Sequence, residues 1–192
     1  MSFVALHAAA IARDGSALLL PGPPGAGKTT LTLELLERGW TYLSDDLAPI
    51  SVSSGMVHPV PKPLHVKDAA SWDLWRSRWA VPEWVGPPLS SFLVPVSGFD
   101  VAGDPLPVRL IVFPDFELGA RLRVTRVGAA LALARGAENA RAGGPRSRQS
   151  TLPVLARLLR HAEAWAMTYG DSSEAADQLV KKAQTEYGSE VE

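Results

Sequence analysis

One short segment near the start of this 192-residue chain has the composition and spacing of a phosphate-binding loop. It fits the pattern G-x-x-x-x-G-K-[ST], an apolar strand-like run precedes it, and a helix-like run follows it. Glycines let backbone N–H groups curl around a phosphate, while the amino terminus of the following helix adds partial positive charge and the lysine adds a full one. The predicted nucleotide-binding residues are Gly22, Pro23, Pro24, Gly25, Ala26, Gly27, Lys28 and Thr29, with Thr30 assisting.

The hydroxyl group of Thr29 is the expected magnesium ligand in such a loop. Mg²⁺ prefers hard oxygen ligands and bridges the terminal phosphates of a nucleotide. The alternative is a glycine-rich turn that binds nothing. Average residue usage makes the full pattern a rare accident in a chain of this length, so the pattern and its flanking elements favour the phosphate site.

Two adjacent aspartates, Asp45 and Asp46, end the next strand-like segment. Ligands of open α/β sheets bind outside the carboxyl ends of the strands, so the pair is expected at the same edge as the loop. One carboxylate of such a pair can hold a metal while the other polarises an attacking hydroxyl group. Adjacent side chains of a strand point in opposite directions, which favours this division of roles. The alternative is a pair that caps the following turn.

The elements that must position these residues read as strands and helices of a single α/β unit. Residues 3–12 and 17–20 are apolar strand-like runs joined by a turn at 14–15, and they suggest a hairpin that leads into a central strand. Residues 28–38 have helical spacing, with Gly39 as the stop signal, and residues 40–44 read as the next strand.

The second half of the chain is less regular, because prolines recur between residues 55 and 114. The predicted elements are a helix over 67–79, strands over 108–113 and 121–127, a helix over 128–135, a mobile loop over 138–150, and helices over 152–169 and 172–185. No internal repeat and no clear linker is present in the sequence.

Three linked segments of the sequence resemble the catalytic domain of HPr serine kinase/phosphorylase and its smaller HPr-kinase-related relatives. They are His7, the loop that begins at Gly22, and residues 31–39 leading to the Leu-Ser-Asp-Asp run at 43–46. Residues 59–67, 112–114 and 169–170 also look like the small kinases, so the resemblance covers most of the chain, with lower specificity after Pro49. It implies an α/β fold of the HPr kinase / PEP carboxykinase type, a P-loop kinase core with a mixed central sheet flanked by helices. Residues 1–192 would form one catalytic domain with a C-terminal helical part at about 151–186.

The resemblance also implies roles for the site residues. Asp45 would be the base that takes the proton from an acceptor serine, His7 would lie near the transferred phosphate, and Asp46 would be a supporting or metal-linked carboxylate. The catalytic residues implied are therefore Asp45, Lys28, His7 and Asp46, and the metal ligands are Thr29 and Asp46. ATP and Mg²⁺ are the implied cofactors, the partner is a peptide or protein that bears serine, and a homo-oligomer is expected.

The sequence departs from the HPr kinases in two respects. It lacks their acidic Glu-Val-Arg-Gly segment, which is associated with the phosphorylase reaction, so phosphorolysis is not expected. Because His7 lies so near the start of the sequence, no N-terminal regulatory domain of the HPr kinase kind is expected. The sequence is therefore similar to a stand-alone kinase core, like the related enzymes that phosphorylate the C-terminal serine of lasso-peptide precursors.

Some residues outside these motifs have both a functional and a structural interpretation. Six basic residues, named at the end of this paragraph, are candidates for phosphate or substrate contacts, although surface charges are more often simply solvated. Trp72, Trp75 and Trp79 share a predicted helical face, which suits a subunit interface or a peptide groove as well as core packing. These residues are Lys62, Lys67, Arg109, Arg141, Arg146 and Arg148, and the Trp-rich segment with Trp72, Trp75, Trp79 and Trp84.

Bulk composition limits the class of protein. The formal net charge of -1 gives no field for nucleic acid or membrane surfaces, and the absence of cysteine excludes disulfides and thiolate chemistry and suits the cytoplasm. No Asn-Lys-x-Asp guanine signature is present, so ATP is expected as the nucleotide.

A serine kinase is the leading hypothesis. A small-metabolite kinase and an ATP-dependent peptide-binding module are the alternatives.

Overall fold

The computed structural model describes residues 2–66, 92–141 and 145–187. Eleven strands and four α-helices lie in these parts of the chain, with a 3₁₀ turn at Val96–Gly98. In chain order the elements are β1 (Phe3–Leu6), β2 (Ala8–Arg13), β3 (Ser16–Pro21), α1 (Lys28–Glu37), β4 (Thr41–Ser44), β5 (Ala48–Ser51), β6 (Leu64–Val66), β7 (Phe92–Val94), β8 (Val108–Phe116), β9 (Arg123–Arg126), α2 (Ala129–Glu138), β10 (Ala140–Arg141), α3 (Pro145–Leu158), β11 (Glu163–Tyr169) and α4 (Ser172–Tyr187).

The central element is a six-stranded mixed sheet with the order β4-β2-β3-β8-β11-β9. Strands β3, β8 and β11 run parallel to one another, β2 is antiparallel to both β3 and β4, and β9 is antiparallel to β11. It follows that β4 runs in the same direction as β3. The carboxyl ends of β3, β4, β8 and β11 therefore meet at one edge, hereafter the carboxyl edge of the sheet.

Both faces of this sheet are covered, so its middle strands carry apolar side chains on both sides. On β3, Leu18 and Leu20 pack towards one core and Ala17 and Leu19 towards the other. Helices α1 and α4 and the β6–β7 ribbon cover the first face. A three-stranded antiparallel sheet of order β10-β1-β5, together with α2 and α3, covers the second. The predicted fold class, a mixed sheet flanked by helices, is confirmed.

Most predicted elements of the first half and several of the second are present. The strands at 17–20, 40–44, 108–113 and 121–127 correspond to β3, β4, β8 and β9, and the helices at 28–38, 128–135 and 172–185 to α1, α2 and α4. The strand at 3–12 is interrupted at His7, so that β1 and β2 belong to different sheets. The predicted helix over 67–79, with Lys67, Trp72, Trp75 and Trp79, lies outside the described residues, and so does Trp84.

Two predictions in the C-terminal third are wrong. The helix predicted over 152–169 ends at Leu158, and Glu163–Tyr169 is a strand between β8 and β9. The C-terminal part at about 151–186 is therefore not purely helical. The loop predicted over 138–150 contains the end of α2, all of β10 and the start of α3 at Pro145, a residue well suited to the first turn of a helix. Among the described helices, none has the length and apolar content needed to cross a membrane.

Candidate active site

The predicted phosphate loop (residues 22–29) connects the carboxyl end of β3 to the first turn of α1. Gly25 and Gly27 have φ values of 87° and 88°, a left-handed conformation that glycine adopts without steric cost. Helix α1 begins at Lys28, directly after Gly27, and no side chain caps its amino terminus. The helix amino terminus therefore has no side-chain cap that would compete with an anion.

Lys28 is buried against the phosphate loop rather than extended into solvent. Its Nζ donates hydrogen bonds to the carbonyl oxygens of Gly22, at 2.7 Å, and Pro23, at 2.9 Å. These contacts fold the ammonium group back over the loop, next to the uncapped helix terminus. The residues present thus fit a phosphate chain, because they combine glycines, a helix amino terminus without a side-chain cap, and a fixed positive charge.

Tyr169, at the end of β11, supports this loop from the side. Its hydroxyl group donates towards the carbonyl oxygen of Gly27 at 3.3 Å. A Cβ atom placed on Gly27 would lie 1.9 Å from the Tyr169 hydroxyl oxygen and 3.2 Å from the Cβ of Phe116. Gly27 is therefore required both by its backbone conformation and by the close approach of Tyr169.

Asp45 follows β4 and faces the phosphate loop. Its carboxylate accepts a hydrogen bond from the Thr29 hydroxyl group, whose Oγ1 lies 3.2 Å from Oδ2 and 3.3 Å from Oδ1, and one from the His65 backbone N–H at 3.3 Å. The residue is only 7% exposed. Burial raises the pKa of Asp45 above its ordinary value, although the hydrogen bonds from His65 and Thr29 and the charge of Lys28 oppose the shift.

Asp46 points away from Asp45 into a second group of polar side chains. Its backbone is left-handed, with a φ of 69°, and its Oδ1 lies 2.7 Å from Nε2 of His7. Its Oδ2 lies 3.6 Å from Nη2 of Arg141. Burial and the positive charge of Lys28 lower the pKa of His7, and Asp46 offsets this only in part. The imidazole is thus neutral at neutral pH, and its Nε2–H donates to Asp46.

The second sheet places His7 and Arg141 at the carboxyl edge. His7 lies between β1 and β2. Its backbone N–H donates to the carbonyl oxygen of Asn139 at 2.7 Å, and its own carbonyl oxygen accepts from the backbone N–H of Gly22 at 3.4 Å. Arg141 lies on β10, paired with Ala5 of β1. Both residues are therefore fixed by backbone hydrogen bonds between elements that are far apart in sequence.

The oxygen atoms that could hold a divalent cation belong to Thr29 and Asp45. Within residues 2–66, 92–141 and 145–187, no group of three or more acidic, histidine or cysteine side chains could bind a metal. Mg²⁺ does not need one, since it usually takes one or two protein oxygens and completes its shell with phosphate and water. The sequence predicted Thr29 and Asp46 as ligands, whereas the structure places Thr29 beside Asp45 and pairs Asp46 with His7.

The structure brings together most of the predicted site and separates some candidates from it. Lys28, Thr29, Asp45, Asp46 and His7 share the carboxyl edge, and Thr30 follows in α1, half-buried. Lys62 is exposed. Arg109 lines a pocket with Arg126 and Glu163 near the amino ends of β8 and β11, at the opposite edge. Arg146 and Arg148 lie in the first turns of α3.

The sequence points to two further residues of the site without indicating their contacts. Arg141 is a candidate phosphate contact in the predicted mobile loop, and only the pairing of β10 with β1 shows that it reaches Asp46. Tyr169 was noted for its resemblance to related kinases but was assigned to a helix, where its contact with Gly27 could not be inferred.

Comparison with known proteins supports the resemblance in one segment. Two curated relatives from Treponema pallidum, one of them from the strain Nichols, are both named HPr kinase/phosphorylase, and each is 40% identical to this chain over 52 residues. That segment is 27% of this chain and spans only 16% of the length of the relatives. The resemblance predicted from the sequence is thus confirmed over the matched residues, where the chain is HPr-kinase-like.

A solved structure of the HPr(Ser) kinase/phosphatase from Coxiella burnetii aligns with 94% of this chain and 96% of its own, with 12% sequence identity and a TM-score of 0.43. No protein-family model matches the chain.

Proposed function

We propose that this protein is an ATP-dependent kinase that transfers the γ-phosphoryl group to a serine hydroxyl of a peptide or protein. The observation that carries the proposal is the position of Asp45. It is a buried carboxylate with a raised pKa, and it lies 3.2 Å from the hydroxyl group of Thr29 in the phosphate loop. A carboxylate with a raised pKa at the terminal phosphates is what proton removal from an attacking hydroxyl group requires.

In this proposal the phosphate loop binds and orients the nucleotide. Backbone N–H groups of the loop and of α1 donate to the phosphate oxygens, and Lys28 neutralises part of their charge. Binding would draw the Lys28 ammonium group from the carbonyl oxygens of Gly22 and Pro23 to the phosphates. Phosphoryl transfer depends largely on such positioning and charge neutralisation.

Asp45 acts as the base in the chemical step. The serine Oγ attacks the γ-phosphorus and forms the new O–P bond, while its proton moves to the Asp45 carboxylate. The bond from the γ-phosphorus to the bridging oxygen breaks, and ADP leaves with the electron pair of that bond. The raised pKa of Asp45 makes the carboxylate a stronger base than an exposed aspartate.

His7, Asp46 and Arg141 form the outer wall of the reaction centre. The neutral imidazole of His7 donates to Asp46 and holds its carboxylate in place, while Arg141 contributes a positive charge beside it. We assign His7 and Asp46 to positioning and Arg141 to the neutralisation of charge near the transferred group.

The oxygen atoms of Thr29 and Asp45 would hold Mg²⁺ together with the phosphates. Mg²⁺ supplies charge neutralisation on the terminal phosphates when bound. Asp45 therefore has two candidate roles, proton acceptor and metal partner, and the Mg²⁺ dependence of the Asp45→Asn variant separates them. A variant that has lost the base keeps the wild-type Mg²⁺ requirement, whereas one that has lost a metal partner needs more Mg²⁺ for ATP binding.

The acceptor proposed is the C-terminal serine of a ribosomally made precursor peptide of the lasso type. Its support is the resemblance to the smaller HPr-kinase-related enzymes, together with the lack of an acidic Glu-Val-Arg-Gly segment in this sequence. Cytoplasmic location and a homo-oligomeric state belong to the same proposal. Light scattering coupled to size-exclusion chromatography tests the oligomeric state.

The deciding experiment incubates the protein with Mg-ATP labelled at the γ-phosphate and peptides that end in serine. Matched peptides that end in alanine are the control. Label on the terminal serine, lost in Asp45→Asn while ATP still binds, is the expected result. ATP binding without transfer to any peptide would favour a metabolite kinase or an ATP-dependent peptide-binding module.

A further inference from the structure

Two exposed apolar side chains lie at the carboxyl end of β8, the strand next to β3. Phe116 ends β8 and is 41% exposed, and Leu118, two residues later, is 90% exposed. Both follow the carboxyl end of a strand that neighbours β3, at the edge where α/β proteins bind ligands. The position of these side chains is thus suited to contact with a ligand of the loop.

The turn that carries Leu118 is held firmly. The N–H of Glu117 donates to the carbonyl oxygen of Tyr169 at 2.9 Å, and the N–H of Ala120 donates to that of Glu117 at 2.9 Å. Gly119 has a φ of 79°, which favours glycine in the turn. A Cβ atom on Gly170 would lie 2.7 Å from the backbone N and O of Ala120, so the two backbones are in direct contact.

The same turn is joined to the phosphate loop. The ring of Phe116 packs edge-on against that of Tyr169, with centroids 5.6 Å apart. The hydroxyl group of Tyr169 reaches the carbonyl oxygen of Gly27. Phe116 is itself close to the loop, since its Cβ would be 3.2 Å from a Cβ on Gly27. Phe116 and the loop therefore form one continuous surface, and Leu118 follows Phe116 in the adjoining turn.

The order of strands fixes which end of a nucleotide faces this surface. Asp45, His7 and Asp46 lie on the side of β3 that contains β2 and β4, and Phe116 and Tyr169 lie on the side of β8 and β11. In a nucleoside triphosphate the γ-phosphate and the nucleoside are at opposite ends of an unbranched chain, so if the γ-phosphate reacts at Asp45, an extended chain over the loop places the nucleoside on the other side of β3. Neighbouring strands are about 4.8 Å apart, which places the ends of β8 and β11 within reach of the ribose and base.

We propose that the adenine base of ATP packs on Phe116 and Leu118. The inference rests on the proposed nucleotide binding and adds its base site. A flat π-system stacks favourably on an aromatic ring and gains apolar contact with a leucine side chain. Because these contacts use the face of the base and not its hydrogen-bonding edge, they supply affinity without selecting adenine over guanine.

The test compares two probes by isothermal titration calorimetry: Mg-ATP, which has a base, and Mg-tripolyphosphate, which has none. Leu118→Ala is expected to weaken ATP binding about fivefold through the lost apolar contact. Phe116→Ala is expected to weaken it about tenfold through the lost stacking. Tripolyphosphate affinity stays at the wild-type value in both variants, and GTP affinity falls in parallel with that of ATP.

Leu131→Ala is the matched control, because Leu131 is 52% exposed on α2, outside the contacts of the loop. It leaves the affinity for both probes unchanged. Equal losses for ATP and tripolyphosphate in the Phe116 and Leu118 variants would overturn the proposal, since the turn would then only support the loop. Unchanged ATP affinity would also overturn it, and a rise in peptide KM with unchanged ATP affinity would assign the surface to the acceptor peptide.

These outcomes are separable from failure of the proposed kinase function. If the wild type binds ATP with the expected pattern in the variants but labels no peptide, the base site stands and the serine-kinase proposal falls. If the wild type binds tripolyphosphate and ATP equally well, the base adds nothing and the base site falls alone. If it binds neither probe, both proposals fall.

Discussion

The phosphate loop has two sides that differ in chemistry and in the way they are held. On the β4 side lie charged groups, Asp45 and Asp46 with His7, fixed by hydrogen bonds between side chains. On the β8 side lie apolar groups, Phe116 and Leu118, fixed by backbone contacts of their turn. A buried charge needs specific partners, whereas an apolar contact needs only a rigid surface. The polar side therefore suits reaction, and the apolar side suits retention of the nucleoside.

The largest expected effect is a loss of catalytic activity when the polar side is changed at Asp45. Asp45→Asn keeps the size of the side chain and one accepting oxygen but removes the base, and we expect kcat to fall about 10²- to 10⁴-fold. ATP affinity, measured by calorimetry, should remain close to that of the wild type. Asp104→Asn is the matched control, because Asp104 is exposed on a surface loop. A fall of similar size in that control would show that the loss is not specific to the site.

The next largest effect concerns the stability cost of alanine substitutions in the phosphate loop, where Gly25 and Gly27 can be compared directly. Both have a left-handed φ, but a Cβ on Gly25 meets nothing within 4 Å, whereas one on Gly27 meets the Tyr169 hydroxyl. Gly25→Ala should therefore cost only the backbone strain, about 1–2 kcal/mol of unfolding free energy. Gly27→Ala should cost that plus about 1–3 kcal/mol of steric overlap.

Urea unfolding measures both costs. In the Tyr169→Phe background the overlap at Gly27 should decrease, because the hydroxyl oxygen is gone and the next ring atom lies 3.1 Å from the added Cβ. The cost at Gly25 should not change in that background. Equal costs at Gly25 and Gly27 would contradict the close approach of β11 to the loop.

The contrast between these regions also shows what the sequence could reveal. The strand, the loop, α1 and the Asp45–Asp46 pair were predictable because residues 17–46 are contiguous and their signals are local. Strand β11 was not, because Glu163–Tyr169 contains alanine and methionine, which favour helices, and is covered on both faces, which blurs the period of two expected for a strand.

The same reasoning explains the residues that were misplaced or missed. Arg141 reaches Asp46 only through the pairing of β10 with β1, at the other end of the chain, and no local pattern encodes that pairing. The apolar side depends on Tyr169 and Phe116, which come from two strands that are parallel neighbours but distant in sequence. Tertiary contacts thus decide this half of the site.

A smaller effect is expected in the pH dependence of stability. The pKa of Asp45 is raised above 3.8 in the folded chain, so the folded state binds this proton more tightly than the unfolded state does. By linkage, the stability contributed by Asp45 falls as pH rises from 3.8 through the raised pKa, and it stays lower above it. Asp45→Asn should therefore have a higher Tm than the wild type at neutral pH.

Thermal unfolding at neutral pH and at the most acidic pH at which the chain stays folded checks this sign. The difference between variant and wild type should shrink in acid, where both side chains are uncharged. A variant that is less stable than the wild type at neutral pH would show that the hydrogen bonds from Thr29 and His65 outweigh the cost of burying the charge.

The smallest expected effect is that of Arg141→Gln, which should change the kinetics but not the thermal stability. Arg141 and Asp46 are 3.6 Å apart with side chains 56% and 60% exposed, and an ion pair of this kind contributes little to folding. Arg141→Gln should therefore leave the Tm unchanged while it raises the KM for ATP or lowers kcat by roughly fivefold, because positive charge near the phosphates is lost. Arg13→Gln, which breaks a surface pair with Asp14, is the matched control and should change neither quantity. If Arg141→Gln lowers the Tm and leaves the kinetics intact, Arg141 serves only to hold Asp46, and the reaction centre is confined to Lys28, Asp45 and the loop.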